Sequence, residues 1–346
     1  MPFYVIKRSF LSISLTDLSN KIMKFDETYI NVLQHIMSNG TRKQNRTGTD
    51  TLSVFNTQIC AEEDAEGYNN IPLSNLRKVY FKGALIEVLW ILGLHMKDER
   101  YSELPQTNTQ YLLDHGVKYW QPWADAENNL GPVYGRQLVS WHDYKIEIPE
   151  DQDAYEYGYD TIGFKDIYVN QIQNIIDTLR TNPDDRRLVA TMWNPAKLSK
   201  MALPPCHHTM EFYSQPMEDG KRMLHTRWMQ RSCDMPIGIP YDMLLYTLLN
   251  KIVALCTGHI PGHVYGLLGD SHIYVNQIDG VKEMLNRAET DEFKACPQPK
   301  LYIEDRIFDI IAKKGWCDLS DFAIDGSDFK IMEYKPLDKI DMPVSI

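Results

Sequence analysis

Met201-Ala-Leu-Pro-Pro-Cys-His-His-Thr-Met-Glu-Phe-Tyr213 places a cysteine after two prolines and before two histidines, ahead of an alternation of apolar and polar residues that predicts a strand. Pro204 and Pro205 cannot donate to a sheet ladder, so Cys206 should lie at the strand start. A thiol there, beside the imidazole of His207, is a candidate nucleophile with a lowered pKa. By residue type alone, Cys206 is one of six cysteines, and most free cysteines fill space.

The composition is typical of a globular protein with a sizeable core. Of the 346 residues, 43% are hydrophobic and 24% are charged, and no uninterrupted apolar run is long enough to span a bilayer. The N-terminus lacks the basic region and cleavage site of a secretory signal, so we expect a cytoplasmic protein. The cysteines are scattered without a CxxC pair, which favours reduced thiols and predicts neither a disulfide framework nor a metal site.

The net charge limits the class of partner. At −11, it argues against a nucleic-acid polymer, because such binding depends on basic surface. A small phosphorylated substrate remains compatible with this charge, since a nucleotide monophosphate needs only a local cluster of arginines. We therefore expect a small-molecule site, with neither a membrane nor a nucleic-acid polymer as partner.

The order of predicted helices and strands favours an α+β fold. Residues 1–22 are interpreted as an N-terminal extension and residues 23–346 as a single domain without repeats or linkers. Helical patterns occur at 29–37, 79–92, 166–179 and 241–256, with a further helix opening at 269–274. Strand patterns occur at 51–55, 188–193, 223–229 and 262–268. The acidic, tyrosine-rich segment 144–159 is predicted to be a solvated excursion.

Several polar residues lie at turns, at strand ends or in apolar helices, where a core does not need them. They are Arg46, Glu87, Arg186, Arg187, the segment 230–234, Asp242, His272 and Tyr274. Singly, each arginine is best explained as solvated surface. Together, in an acidic protein, the arginines indicate a phosphate site, because guanidinium is the best planar, multi-donor partner for phosphate.

Taken in order, these segments resemble the thymidylate synthase family from about Tyr29 to the C-terminus. The matching motifs are Leu130-Gly-Pro-Val-Tyr-Gly, Asn182-Pro-Asp-Asp-Arg-Arg, Ala202-Leu-Pro-Pro-Cys-His, Gln230-Arg-Ser-Cys-Asp-Met-Pro-Ile-Gly-Ile-Pro and the tail Lys339-Ile-Asp-Met-Pro-Val-Ser-Ile346. Spaced motifs in one order are more specific than a lone pattern. The resemblance implies a thymidylate synthase-like catalytic domain, with a mixed sheet packed by long helices and a homodimer formed through the sheet face.

The resemblance also implies a reaction. Cys206 would attack C6 of a pyrimidine nucleotide, so that C5 becomes electron-rich and captures a one-carbon unit from 5,10-methylenetetrahydrofolate. Glu87 would organise water and relay protons, and burial would raise its pKa for that task. Tyr134 and His207 are implied at the same catalytic centre.

The binding residues implied by the resemblance belong to a site that two subunits share. On the nucleotide side they are Arg46, Gln230, Arg231, Ser232, His272 and Tyr274, joined by Arg186 and Arg187 of the other subunit. On the folate side they are Trp120, Trp123, Asp234, Gly238 and the C-terminal Ile346. The last of these would close over the folate and exclude water.

Asp242 departs from the family pattern, which has asparagine here, after a phenylalanine that Tyr241 replaces. An amide suits uracil, whereas a carboxylate faces O4 with like charge and can instead accept from the N4 amino group of cytosine. An unpaired buried polar group costs about 1–3 kcal/mol, enough to change base preference by one to two decades. The deoxycytidylate (dCMP) hydroxymethylases of bacteriophages, relatives of this family, also carry aspartate here. We therefore predict a cytidylate substrate; the alternative is that Asp242 caps a helix.

The product depends on whether hydride or water completes the reaction at C5. Gln121-Pro122 and Leu138 replace residues usual on the folate side, and cytosine specificity in this family is best known with hydroxymethylation. The prediction is 5-hydroxymethyl-dCMP, made in the host cytoplasm if the protein is phage-encoded. The alternatives are a dCMP methylase, a CMP hydroxymethylase, a thymidylate synthase acting on dUMP and, from another class, a non-catalytic nucleic-acid-binding relative.

Overall fold

The computed structural model describes residues 23–62, 67–147 and 163–345. The predicted extension 1–22, the C-terminal Ile346 and most of the acidic segment lie outside these residues. The proposed division into an extension and one domain therefore stays a prediction.

The strands form a mixed main sheet and two small antiparallel pairs. They are β1 (Thr41–Lys43), β2 (Thr51–Ala61), β3 (Trp141–Glu147), β4 (Gly163–Val169), β5 (Val189–Thr191), β6 (His207–Pro216), β7 (Arg222–Asp234), β8 (Ile260–Tyr274), β9 (Lys300–Ile303) and β10 (Phe329–Met332). Within the described ranges the main sheet has the order β1-β2-β8-β7-β6-β5, with β7 and β8 parallel and the other neighbours antiparallel. β3 pairs with β4, and β9 pairs with β10.

The helices vary from single turns to one long core helix. They are α1 (Lys24–Asn39), α2 (Phe81–Ile91), α3 (Glu99–Ser102), α4 (Gln110–Asp114), α5 (Tyr134–Val139), α6 (Gln171–Thr181), α7 (Gly238–Thr257), α8 (Ile278–Ala288), α9 (Asp291–Lys294) and α10 (Asp305–Lys314). Together with the sheet they confirm the predicted α+β class and the mixed sheet packed by long helices.

Helix α7 is the centre of the core. It packs against β7, β8 and α2, and nearly all its side chains after the first turn are buried. Its length and hydropathy would also suit a membrane span, but 89% of the relevant window is buried inside the protein, which is typical of a core helix. Gly258, with a φ of 69°, ends the helix in the left-handed conformation that glycine adopts without strain.

The main sheet has one face under the helices and one face that the described chain leaves open. Met210 and Trp228 point into the core, whereas Tyr213, on the other face of β6, is 63% exposed. A recess of about 980 Å³ lies on this open face, lined by residues that include Gln58, Tyr213 and Tyr265. The open face is therefore a broad surface, separate from the packed core.

The helix predicted at 166–179 is confirmed except for its start, and the helix opening predicted at 269–274 is wrong, because strand pairing overrides the local pattern in both places. Residues 163–169 form β4 against β3, and α6 starts only at Gln171, where the Asn170 side chain accepts from the Gln173 N–H. Residues 269–274 continue β8, which pairs with β2 on one side and β7 on the other. The excursion predicted at 144–159 is partly wrong as well, since residues up to Glu147 belong to β3.

Candidate active site

An opening of about 550 Å³ lies where the C-terminal ends of the parallel strands β7 and β8 meet the start of β6. Cys206 lines it and immediately precedes β6, as the two prolines predicted. The opening is also lined by Arg46, Arg231, Ser232, His272 and Tyr274. The structure thus brings the predicted nucleophile and most of the predicted phosphate and sugar residues to one place.

Three hydrogen bonds join Arg231 to the segment Pro204-Pro205-Cys206. The Arg231 N–H donates to the Cys206 carbonyl at 2.9 Å, and its guanidinium donates to the carbonyls of Pro204 and Pro205, each at 2.9 Å. The Cys206 N–H donates to the Tyr134 hydroxyl at 2.9 Å. The double proline therefore anchors an arginine beside the thiol in addition to ending the preceding segment.

The expected lowering of the Cys206 thiol pKa is wrong. Burial raises the pKa of this thiol, and the guanidinium of Arg231 offsets only part of that effect. Asp242 raises it further, while the Tyr134 hydroxyl and Arg46 lower it. The favourable charges near the thiol are thus arginines, and the neighbouring imidazole supplies none.

His207 faces into the protein and is neutral at physiological pH. Its Nδ1 lies 2.8 Å from the Tyr246 hydroxyl and its Nε2 lies 3.9 Å from Oδ1 of Asp242. Burial lowers its pKa to about 3. The ring also packs against Tyr134, with centroids 4.6 Å apart. His207 therefore supports the groups around Cys206 as an uncharged side chain.

Asp242 lies inside α7, beyond its first residue Gly238, so the helix-capping alternative is wrong. The carboxyl is nearly buried, with 16% of the side chain exposed, and its Oδ2 accepts from the Gln230 amide at 2.8 Å. Burial raises the pKa of Asp242 to about 7, and the charges of Glu87 and Asp234 contribute. This carboxyl can therefore hold a proton in the neutral range.

Glu87 projects from α2 and is 8% exposed. Its Oε1 accepts from the Trp120 indole at 2.8 Å, and its Oε2 accepts from the Tyr119 hydroxyl at 2.6 Å. Burial raises the pKa of Glu87, and these two donors offset part of the effect. The raised pKa predicted for a carboxylate in an apolar helix is confirmed.

A row of aromatic rings connects Glu87 to the thiol. Trp120 packs edge-on against both Trp123 and Tyr134, with centroids 6.0 Å and 5.5 Å apart. Because the Tyr134 hydroxyl accepts from the Cys206 N–H, the row reaches the nucleophile itself. These rings form a largely apolar wall beside the polar groups.

Asp234 and Gly238 lie at the other side of Asp242, close to the C-terminal tail. The Asp234 carboxyl accepts from the Ile237 N–H at 3.3 Å and from the Gln277 amide at 3.4 Å. That amide also donates to the Pro343 carbonyl at 3.0 Å, which ties the tail to this edge. A Cβ at Gly238 would lie 3.8 Å from Oδ2 of Asp242, so this glycine is adjacent to both carboxyls.

His272 and Tyr274 lie on β8, whereas the sequence pattern placed them at a helix start. Their rings meet edge-on with centroids 5.2 Å apart, and Nδ1 of His272 lies 3.1 Å from the Asp270 carbonyl. Both side chains line the opening beside Arg231 and Ser232. Their placement on a rigid central strand fixes them better than a helix terminus would.

Arg186 and Arg187 do not line the opening that contains Cys206 in their own chain. Arg186 lines the recess on the open sheet face, and Arg187 is paired with Asp185 at 2.7 Å, with 87% of its side chain exposed. Both arginines therefore point to surface that a single chain leaves uncovered.

Comparison with models of known protein families matches residues 27–346 to thymidylate synthase. The chain belongs to the thymidylate synthase family. Members transfer a one-carbon unit from methylenetetrahydrofolate to C5 of a pyrimidine nucleotide, and this is the chemistry that family membership assigns here. The thymidylate synthase resemblance of the motifs is thus confirmed over nearly the whole chain.

The groups around Asp234 have a chemistry that fits methylenetetrahydrofolate, the co-substrate of the family. The hydrogen bonds to Asp234 are long, so this partly buried carboxyl keeps acceptor capacity for groups such as the amino and N–H groups of a pterin. Trp123 is only partly buried and offers a ring face or edge. Ile346, the predicted lid residue, lies outside the described residues.

Sequence reasoning missed several residues of the site. Trp193 lines the opening and lies under the Arg231 guanidinium, 5.6 Å from the ring centroid. Tyr246 bonds His207 and lies four residues, about one helical turn, after Asp242, a spacing that could have pointed to it. The Tyr119 hydroxyl donates a hydrogen bond to Glu87, but Tyr119 belongs to none of the sequence motifs that indicated the site.

Proposed function

We propose that the protein is a deoxycytidylate hydroxymethylase, which converts dCMP to 5-hydroxymethyl-dCMP with methylenetetrahydrofolate as the one-carbon donor. The observation that carries this proposal is the nearly buried carboxyl of Asp242, which accepts from the Gln230 amide and stands at the position where the family has asparagine; burial raises its pKa to about 7. Modification of cytosine at the nucleotide level suits a bacteriophage that protects its DNA, and the enzyme would then act in the host cytoplasm.

Asp242 suits cytosine because a shared proton satisfies both polar edges of the base. A protonated carboxyl donates to N3, and its second oxygen accepts from the N4 amino group. With uracil the same proton would have to bond O4, which is much less basic than N3 of cytosine. The bond to Gln230 holds Oδ2 in place for this contact. Base preference would therefore follow from a carboxyl that keeps its proton near neutral pH.

Cys206 would begin the reaction by bonding to C6 of the base. As the S–C6 bond forms, the C5=C6 electrons move to C4=C5 and the C4=N3 electrons move to N3, which takes the proton from Asp242. Arg231 favours the thiolate that this step requires, since its charge lowers the pKa of the thiol. C5 is then an enamine carbon that can attack the one-carbon unit supplied by the folate.

Glu87 would direct the second half of the reaction. After C5 has attacked the one-carbon unit, its hydrogen leaves as a proton to water and the folate departs with the electron pair of its carbon–nitrogen bond, so the base carries an exocyclic methylene at C5. Water bonds to this carbon, its proton goes to Glu87, and the electrons return through C5 to expel Cys206 from C6. Glu87 suits this role because it is buried, fixed by two donors and has a raised pKa.

The remaining binding roles follow the family positions. We assign the phosphate to Arg46, Arg231 and Ser232 and the sugar to His272 and Tyr274, since these residues line one opening. We assign the pterin to Asp234 and Gly238, with Trp120 and Trp123 as the aromatic wall. Gln230 would orient Asp242.

We also propose a homodimer that forms through the open sheet face. This face holds the recess of about 980 Å³ and the exposed ring of Tyr213, surface that a second copy would cover. Arg186 lines this recess and Arg187 follows it in the chain with 87% of its side chain exposed, and neither lines the opening that contains their own Cys206. They are therefore placed to serve the phosphate site of the other subunit.

Product analysis by mass spectrometry tests the proposal directly. The enzyme is incubated with methylenetetrahydrofolate and with dCMP, dUMP or CMP in separate reactions. The expected product is 5-hydroxymethyl-dCMP, with tetrahydrofolate as the second product. Growth of dihydrofolate absorbance would indicate methyl transfer and contradict hydroxymethylation. A methylated product from dUMP would identify an ordinary thymidylate synthase, and CMP turnover would identify a ribonucleotide enzyme.

A further inference from the structure

The Tyr119 hydroxyl is one of the two donors that fix the Glu87 carboxyl, and it differs from the other because it can also accept a hydrogen bond. Its Oη lies 2.6 Å from Oε2, and the indole of the next residue, Trp120, lies 2.8 Å from Oε1. Two consecutive residues thus hold the two oxygens of one buried carboxyl. Tyr119 is 40% exposed, but its hydroxyl contacts the Glu87 side chain in the interior, where Glu87 is only 8% exposed.

The residues around Tyr119 hold its hydroxyl next to Glu87. Its hydroxyl lies 3.3 Å from the Gly83 carbonyl, one turn before Glu87 on α2, and its ring packs edge-on against Tyr241 with centroids 6.2 Å apart. The ring also lies close to α2 itself, since a Cβ at Gly83 would be at an ordinary contact distance of 3.6 Å from it. The hydroxyl is therefore held against the helix that carries the carboxyl.

The two partners of Glu87 differ in what they can do with a proton. The indole N–H of Trp120 can only donate, so Oε1 stays an acceptor whether or not Glu87 is protonated. The Tyr119 hydroxyl can donate to the carboxylate or accept from the carboxylic acid. A proton on Glu87 can therefore sit on Oε2 without loss of either contact, and the carboxyl plane stays the same in both states.

We infer that Tyr119 is a positioning residue that holds Glu87 in one orientation through both of its protonation states and favours the ionised form. The inference rests on the proposed role of Glu87 as the group that accepts the proton from water. Tyr119 would touch Glu87 and not the reacting atoms, so its contribution passes entirely through the carboxyl.

Tyr119→Phe removes the hydroxyl and keeps the ring. Burial raises the pKa of Glu87, and in this variant only the Trp120 indole still opposes that effect, so the pKa of Glu87 rises further. The acid limb of the kcat profile against pH should move upward by about one pH unit, the size expected for loss of one hydrogen bond to a charged group. The KM for dCMP should change less than about twofold, since no nucleotide contact is lost.

The experiment compares wild type, Tyr119→Phe and the control Tyr241→Phe. The control removes a hydroxyl from the same wall, but that hydroxyl accepts from the Tyr80 backbone N–H at 3.2 Å and, within the part of the chain that the structure describes, has no hydrogen bond to a carboxyl. Turnover of dCMP is measured across pH, and thermal unfolding checks that each variant is folded. Only Tyr119→Phe should move the acid limb. A Tyr119→Phe profile that overlays the wild-type profile would overturn the inference.

A second readout separates this inference from the proposed function. Addition of Cys206 to C6 makes C5 nucleophilic, so in D₂O without folate the enzyme should exchange the C5 hydrogen of dCMP for deuterium, which NMR detects. If wild type neither exchanges nor turns over dCMP, the proposed function fails. If wild type does both and the Tyr119→Phe acid limb is unmoved, the function stands and the inference alone fails.

Discussion

Replacement of Asp242 by asparagine should reverse the base preference and leave the fold intact. The carboxyl is nearly buried, and Oδ2 accepts from the Gln230 amide at 2.8 Å. An asparagine oxygen can accept the same hydrogen bond, so the new amide is oriented by the contact that orients the acid. His207, the other neighbour at 3.9 Å, is neutral and tolerates the loss of charge.

The magnitude follows from the polar groups left unpaired. Against cytosine, the asparagine NH₂ faces the N4 amino group, and no proton is shared with N3. The loss is about 1–3 kcal/mol, or roughly 5- to 150-fold in kcat/KM for dCMP. Against uracil, the same amide pairs O4 and N3–H and gains a similar amount. The ratio of kcat/KM values for the two nucleotides should therefore change by about two to four decades.

The assay is kcat/KM for dCMP and dUMP at fixed methylenetetrahydrofolate, with products separated by chromatography. Asp270→Asn is the matched control, because Asp270 also lines the opening but bonds Lys43 and Ser53 and lies beside His272. It should lower both kcat/KM values by the same factor. If wild type prefers dUMP, or if Asp242→Asn leaves the ratio unchanged, the assignment of Asp242 as the base reader is refuted.

The proton required by Asp242 predicts that kcat/KM for dCMP falls as pH rises above about 7, whereas Asp242→Asn should lack this fall; a pH series of initial rates checks it. Burial raises the pKa of Asp26 to about 7. The folded protein therefore favours the protonated carboxyl, and the contribution of Asp26 to the free energy of unfolding is complete below about pH 4. This contribution should be lost as the pH rises through 7, by about 4 kcal/mol at most. Asp26→Asn should therefore raise the melting temperature at pH 8 and hardly change it at pH 4. Mixing the inactive variant Cys206→Ser with the weakly active variant Arg186→Ala should restore activity if the sites are shared between subunits. In a mixed dimer, one site combines the native Cys206 of one subunit with the native Arg186 of the other. No recovery of activity would contradict the dimer.

The parts of the site that follow local rules were predictable from sequence. Two prolines before Cys206 end a segment by chain chemistry alone, and β6 indeed begins at the next residue. The apolar run of α7 is likewise long enough to indicate a core helix. The identity of the family followed from spaced motifs, which need no three-dimensional information.

What failed depended on contacts distant in sequence. Residues 269–274 look like a helix start, but β2 and β7 flank them and extend β8. The pKa of Cys206 depends on how deeply the thiol is buried, which the adjacent histidine does not reveal. Tyr119 was overlooked for the same reason, since its partner Glu87 lies on another element.

An aspartate at position 242 changes the charge and protonation of the site as well as its hydrogen-bond pattern, because other carboxyls lie nearby. Burial raises the pKa of Asp242, and the charges of Glu87 and Asp234 add to that effect, so in the proposed mechanism the proton on the base reader is stabilised in part by acids with other roles in the reaction. An asparagine at this position would need no proton and would be indifferent to those charges. In the proposed function, a site with aspartate recognises the base together with its proton. A cytosine-specific site should therefore depend on pH at the binding step, where a uracil-specific site built on asparagine should not.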